Sequence, residues 1–259
     1  MQQLDHRDNP ERIMSTMDHL SELRRRIIWV LVVFVLALVL GFVFSMPIVE
    51  LLKQDPIAQH VPWNVFKVTD AFRVYIQFSF ILSLVITLPF LLYQVWAFMK
   101  PGLTDEERRA TLTLVPLAAL LFVLGILFGY KVLFPIVFTF MGTITESLGA
   151  QEMYGISEYF SFMINIVFPV ALLFELPVVI MFLTRIGVLN PMAMKKARKY
   201  AYLILAVISA IVTPPDFISQ TILFIPLIVL FEISVGLSAI VYRRKLAREQ
   251  KRWESYNEN

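Results

Sequence analysis

The 259-residue chain is 58% hydrophobic and 14% aromatic, with only 17% charged residues, a balance far more apolar than a water-soluble domain of this length carries. It has no cysteine, and its three histidines, His6, His19 and His60, are scattered, which excludes disulfides, thiolate metal sites, cysteine nucleophiles and a histidine ligand cluster. A formal net charge of +3 does not point to nucleic acid, because the basic residues flank apolar runs, as membrane topology demands.

The first apolar run covers 27–45, directly after Arg24, Arg25 and Arg26, and has roughly the 20 residues that a hydrocarbon core of about 30 Å requires. Its length and the lack of an A-x-A-like cleavage site after it point to a retained anchor rather than a signal peptide. Runs at 74–99, 112–140, 159–183, 200–213 and 217–240 follow. The expected fold is all-α: one polytopic membrane domain over 1–259 with six transmembrane helices, a cytoplasmic N-terminal segment 1–26 and a cytoplasmic tail 241–259. Charge sets the orientation. With the N-terminus, 100–111, 185–199 and the tail on one side, only Lys53, Lys67, Arg73 and Lys131 of the 23 Lys and Arg residues fall on the other, and the positive-inside rule places the basic side in the cytoplasm.

The fifth run is unusually short. Lys195, Lys196, Arg198 and Lys199 mark its start and Thr213, Pro214, Pro215 and Asp216 its end, so about 14 residues, or about 21 Å of helix, must face a core of about 30 Å. Local membrane thinning or a turn sunk inside protein resolves the mismatch. A sixth helix of matching shortness puts Glu232 near the cytoplasmic interface. Bends at Pro89, Pro116, Pro135, Pro169, Pro177 and Pro226 would let the helices enclose a concave groove, although proline is also simply tolerated in membrane helices. Gly125 and Gly129 form a GxxxG pair, a signal for close helix packing. On the outer side, 46–70 holds Pro47, Pro56, Pro62 and Trp63 and is long enough for a structured cap, whereas 141–157 carries Glu146 and Glu152 and no basic residue.

Glu175 stands alone in an apolar run from 164 to 183, ten residues before Arg185, which is about 15 Å of helix and places it near the bilayer centre. A carboxylate there costs on the order of 3 kcal/mol on insertion scales, so it calls for a partner or a function. The alternative is a carboxyl satisfied by Ser or Asn side chains of its own fold. The sequence holds no GxxxxGK(S/T), HExxH or GxSxG motif and no metal-ligand cluster, so neither catalysis, a cofactor nor a metal is expected. Near the basic side, Glu22 and the run Asp105, Glu106 and Glu107 offer carboxylates that take arginine in bidentate hydrogen bonds. The competing reading pairs Glu22 with Arg25 or Arg26 one turn on and makes Asp105 to Glu107 a solvated helix start followed by Arg108 and Arg109. An ion- or proton-coupled small-solute transporter would also use a midplane acid such as Glu175.

Four segments carry a family resemblance. Asp18-His19-Leu20-Ser21-Glu22-Leu23-Arg24 precedes the first run, and Tyr93-Gln94-Val95-Trp96-Ala97-Phe98 leads to Pro101 and Glu107-Arg108-Arg109. Phe174-Glu175-Leu176-Pro177-Val178 and Thr213-Pro214-Pro215-Asp216 with Ser219-Gln220 complete the set. In order, spacing and six-span layout they resemble TatC, the multispanning core subunit of the twin-arginine protein translocase. The resemblance implies a non-enzymatic receptor in the cytoplasmic (inner) membrane that binds signal peptides bearing paired arginines and starts the export of folded proteins on the proton gradient. Carried over by motif, it implies that Glu22 and Glu107 receive the two guanidinium groups. Phe98, Leu103 and Arg109 would shape the same site, His19, Leu20 and Arg24 would support it, and Glu106 is the substitute for Glu107. It also implies that Glu175 meets a polar residue on the single helix of a TatA- or TatB-type subunit, with Tyr130, Asp216 and Gln220 as further intramembrane polar positions. The implied partners are those subunits, the signal peptides, membrane lipid and further copies of the chain in a larger complex, with no nucleic acid.

Overall fold

The computed structural model describes residues 16–59, 61, 63–100, 108, 111–213 and 217–257. Helix α1 (Thr16–Lys53) is 38 residues long, about 57 Å at 1.5 Å per residue, so polar residues extend beyond both ends of its apolar core. The Glu, Leu and Arg residues before that core are good helix formers, and the helix simply continues through them. A short α2 (Pro56–Gln59) and an irregular stretch lead into α3 (Asp70–Met99). Next come α4 (Leu114–Phe128), a π-helical turn (Gly129–Leu133) and α5 (Phe134–Ser147) without interruption. α6 (Ile156–Leu173) and α7 (Leu176–Arg185) are separated only by Phe174 and Glu175. α8 (Pro191–Lys196), α9 (Arg198–Val212) and α10 (Phe217–Asn257) complete the order.

Leu20–Lys53, Asp70–Met99, Leu114–Ser147, Ile156–Arg185 and Phe217–Arg243 are each long and apolar enough to cross a bilayer, which makes this a multi-pass membrane protein. The predicted fifth span is α9, with 15 residues, about 22 Å and short of a core of about 30 Å. Its Tyr200, Leu203, Ile204, Val207 and Ile211 are exposed, at the spacing by which a helix turns one apolar stripe to lipid.

The sixth predicted helix is not short. α10 runs for 41 residues, because the Arg, Lys, Glu and Gln residues past its apolar stretch favour helix and none of them stops it. Only the part alongside α9 is short. Arg198 Nη2 donates to Glu232 Oε2 at 2.7 Å and the Tyr202 hydroxyl to Glu232 Oε1 at 2.6 Å, while Gln220 Nε2 donates to the Ala206 carbonyl at 3.3 Å. That antiparallel register sets Glu232 beside the first turn of α9.

Three of the six intramembrane prolines follow breaks, the first being Pro116, third residue of α4 after the turn at Thr113. Pro135 and Pro177 each occupy a position in the first turn of α5 and α7, where a missing N–H costs least. Upstream of Pro135 the ladder widens into the π turn, and upstream of Pro177 it opens at Phe174 and Glu175. Pro89, Pro169 and Pro226 lie inside uninterrupted helices.

Helix packing follows the small residues. A Cβ built on Gly125 would lie 2.7 Å from Ala171 Cα, and one on Gly129 would lie 3.0 Å from Val167 Cα, so the GxxxG pair brings α4 against the backbone of α6. α1 and α3 pack equally closely. The Tyr75 hydroxyl donates to the Phe42 carbonyl at 3.0 Å, and Phe34 meets Phe80 edge-on at 5.5 Å.

The helix ends sort onto two faces. One carries the start of α1, the ends of α3 and α7 and the start of α9, with most of the basic residues; it is termed the basic face. The other is capped by the described residues between 54 and 69. Trp63 stacks on Phe160 at 5.5 Å and meets Tyr159 edge-on at 5.2 Å, and Ile156 N–H donates to the Asn64 carbonyl at 2.9 Å. Buried Asp70 accepts from the N–H groups of Phe66 and Lys67 at 3.1 and 2.8 Å. The predicted cap is therefore a packed structure, closed by α3's own first residue.

Candidate functional site

At the basic face, α1 presents Glu22 one turn before Arg26. Both Nε and Nη2 of Arg26 donate to the same Glu22 oxygen, Oε1, the first at 3.1 Å, while Nη1 donates to Gln94 Oε1 of α3 at 3.0 Å. The internal pairing weighed against a visiting arginine is thus formed, and it uses one oxygen. Glu22 Oε2 is shut off from solvent with no hydrogen-bond partner among the described residues. Leu20 and Arg24 are exposed on the same helix end. Phe98 is half-buried one turn beyond Gln94.

The predicted site residues Leu103, Glu106, Glu107, Arg109 and Asp216 lie outside the described residues, as does the side chain of His19. The chain just beyond 101–107 is anchored: buried Trp96 Nε1 donates to Thr111 Oγ1 at 3.0 Å, and Thr111 Oγ1 donates to the Arg108 carbonyl at 3.3 Å. Thr111 is therefore held against the end of α3. Gln94 is the residue that sequence reasoning leaves without a role. Its signal is its chemistry, an amide on an otherwise apolar helix turn.

Glu175 is 7% exposed and sits at the break before α7. Its N–H donates to the Leu172 carbonyl at 3.1 Å and its carbonyl accepts from Val178 and Val179 N–H, both at 3.0 Å, so the backbone is satisfied. Neither carboxyl oxygen is: both are buried with no partner among the described residues, and the side chain does not cap α7. The expected alternative, a carboxyl satisfied by its own fold, is not what the described residues provide.

Tyr130 lies elsewhere, toward the cap. The π turn points both it and Lys131 at Asp55, which accepts from the Tyr130 hydroxyl at 2.9 Å and from Lys131 Nζ at 2.7 Å. Burial works to raise the Asp55 pKa, but the hydrogen bonds of Lys131, Tyr130 and Ile57 N–H and the Lys131 charge outweigh it and hold the carboxyl below its ordinary value. Its contribution to stability is therefore complete above the unfolded value and is lost as pH falls through the lower folded one. Asp55→Asn is expected to lower the melting temperature in detergent at neutral pH, with the gap to the unaltered chain closing as the solution is acidified through that window. A gap that ignores pH would show that the charged clamp does not stabilise the cap.

Glu22 and Gln94, Glu175, and Tyr130 therefore occupy three separate places, the basic face, the interior and the cap. Gln220 joins none of them and serves the contact between α9 and α10. Residues 18–226 match the family profile described as Sec-independent protein translocase protein (TatC). The chain belongs to the TatC family. It is 45% identical over 248 residues to the Sec-independent protein translocase protein TatC of Halalkalibacterium halodurans, covering 96% of this chain and 98% of that one. It is also 34% identical over 235 residues to TatC of Escherichia coli K12, covering 90% and 91%. Among solved structures it is similar to the crystal structure of the twin arginine translocase receptor TatC, with a TM-score of 0.74 and 32% identity over 86% of this chain and 99% of that one. TatC proteins are translocase components and not enzymes.

Proposed function

We propose that this chain is the receptor subunit of a twin-arginine translocase, which takes the paired arginines of a signal peptide at its basic face. In this reading that face is cytoplasmic, both termini with it, and the membrane is the cytoplasmic (inner) one. The observation that carries the reading is Glu22 Oε2, a buried carboxylate oxygen without a donor among the described residues, on a glutamate whose other oxygen takes Arg26, itself tied to Gln94. A guanidinium is the donor that fits it. One arginine of the signal pairs with Glu22 and the other with Glu107, with Glu106 next to it as substitute, while Leu103, Phe98 and Arg109 shape the pocket and His19, Leu20 and Arg24 flank it.

The apolar part of the signal then lies against the exposed stripes of the helices, and recognition passes into insertion. Glu175 waits for a polar side chain on the single helix of a TatA- or TatB-type subunit, with Gln220 and Asp216 as further contacts. Several copies of the chain assemble with those subunits, and the proton gradient drives passage of the folded cargo.

The test is crosslinking of a photoreactive arginine-pair peptide and its Lys-Lys counterpart to the chain in native membranes, repeated with Glu22→Ala and Glu107→Ala. A hydrogen bond to a charged group contributes about 1.5–3 kcal/mol, so each variant should lose about tenfold or more in peptide capture while the chain stays folded. Unchanged crosslinking in both variants would refute the site.

A further inference from the structure

We propose that Arg26 is a specificity-determining residue of the arginine-pair site, held by Gln94 so that Glu22 discriminates guanidinium from ammonium; this rests on the reading of Glu22 given above. Two N–H groups of Arg26 converge on Glu22 Oε1, and its remaining fork nitrogen is tied to Gln94. The Glu22 and Arg26 side chains are 19% and 22% exposed, so the pair sits in a partly dehydrated mouth rather than in open water.

The consequence is electrostatic. With Arg26 in place, Glu22 is close to a neutral pair, and a compact point charge gains little by approaching it. What remains is directional: one oxygen, Oε2, with no donor among the described residues. A planar guanidinium satisfies it with an aligned N–H and keeps its other donors for the neighbouring acid. An ammonium is more strongly hydrated and brings no fork, so it gives up water for less. Remove Arg26, and Glu22 becomes a bare anion that attracts any cation. Affinity rises and selectivity falls. Gln94 belongs to the same device, because without it the Arg26 fork is free to swing away from Oε1.

The experiment uses the full chain in native membranes, with photoreactive signal peptides carrying Arg-Arg or Lys-Lys. Arg26→Met is expected to raise Lys-Lys capture several-fold and Arg-Arg capture less, so that the ratio of the two falls at least threefold. Gln94→Leu should move the ratio in the same direction by a smaller factor. Arg26→Lys, which keeps the charge and loses the fork, should give an intermediate ratio, and it carries the comparison should the methionine variant fail to accumulate. An arginine that merely stiffened the helix would change both peptides equally, and an unchanged or increased ratio overturns the proposal. Glu22→Gln separates the two claims. If it lowers capture of both peptides while Arg26→Met leaves the ratio unchanged, the selectivity role alone is wrong; if it leaves capture intact, the receptor reading of Glu22 fails with it.

Discussion

Gly125→Leu is expected to separate α4 from α6 and to leave a chain that either fails to accumulate in the membrane or melts far below the unaltered protein in detergent. Even a single Cβ at this position would lie 2.7 Å from Ala171 Cα and 2.9 Å from Phe174 Cβ. The first obstacle is backbone, which cannot rotate out of the way. Forcing extra atoms into a packed interior costs about 1–3 kcal/mol when side chains can adjust, and a leucine facing backbone should reach or pass the upper end of that range. The expected effects are graded: Gly129→Ala, whose new carbon would stand 3.0 Å from Val167 Cα, should be mildest, Gly125→Ala intermediate and Gly125→Leu severe. Heating in detergent and then size-exclusion chromatography ranks them. A Gly125→Leu chain as heat-resistant as the original would show that the close approach is not holding the helices. Gly125 also abuts the residue just before Glu175, so the milder variants should disturb function before they disturb folding.

The features legible in the sequence are those the bilayer itself imposes. Hydrocarbon thickness requires apolar runs of a certain length, and the predicted runs fall on helical segments, those at 112–140 and 159–183 on more than one. The helix ends were not legible, because lipid contact stops where charged residues begin whereas helical hydrogen bonding continues through Glu22, Arg26 or Arg243. The same confusion produced the expected short sixth helix: what is short is the α9 partner, and α10 simply outruns it. Proline positions were visible, but not which ones break a helix. Pro135 comes after Gly129 and a turn that widens, and Pro177 comes after the break at Phe174 and Glu175, while Pro89 and Pro226 are absorbed. Across the cap, the contact of Trp63 with Phe160 joins residues far apart in the chain, and no local pattern announces it. At the basic face both readings of Glu22 remain compatible, since a carboxylate has two oxygens and Arg26 uses one.

Glu175→Leu is expected to stabilise the isolated chain while abolishing its association with single-span subunits, and Glu175→Gln to keep most of both properties. A buried polar group without a partner costs about 1–3 kcal/mol, and both oxygens of Glu175 are in that position among the described residues. The turn does not depend on them, because its hydrogen bonds are made by backbone atoms, so a leucine of similar size removes the cost without removing the bend. A stabilising loss of function is the signature of a group kept for a visitor. The glutamine amide keeps an acceptor and adds a donor, which preserves a hydrogen bond to a polar side chain on the incoming helix but not a charge. Melting in detergent and co-purification with the single-span subunits measure the two effects separately. A lower melting temperature for Glu175→Leu would mean that the carboxyl already serves its own fold. Equal loss of association in the leucine and glutamine variants would mean that the partner reads a charge, placing a cation on the incoming helix opposite Glu175.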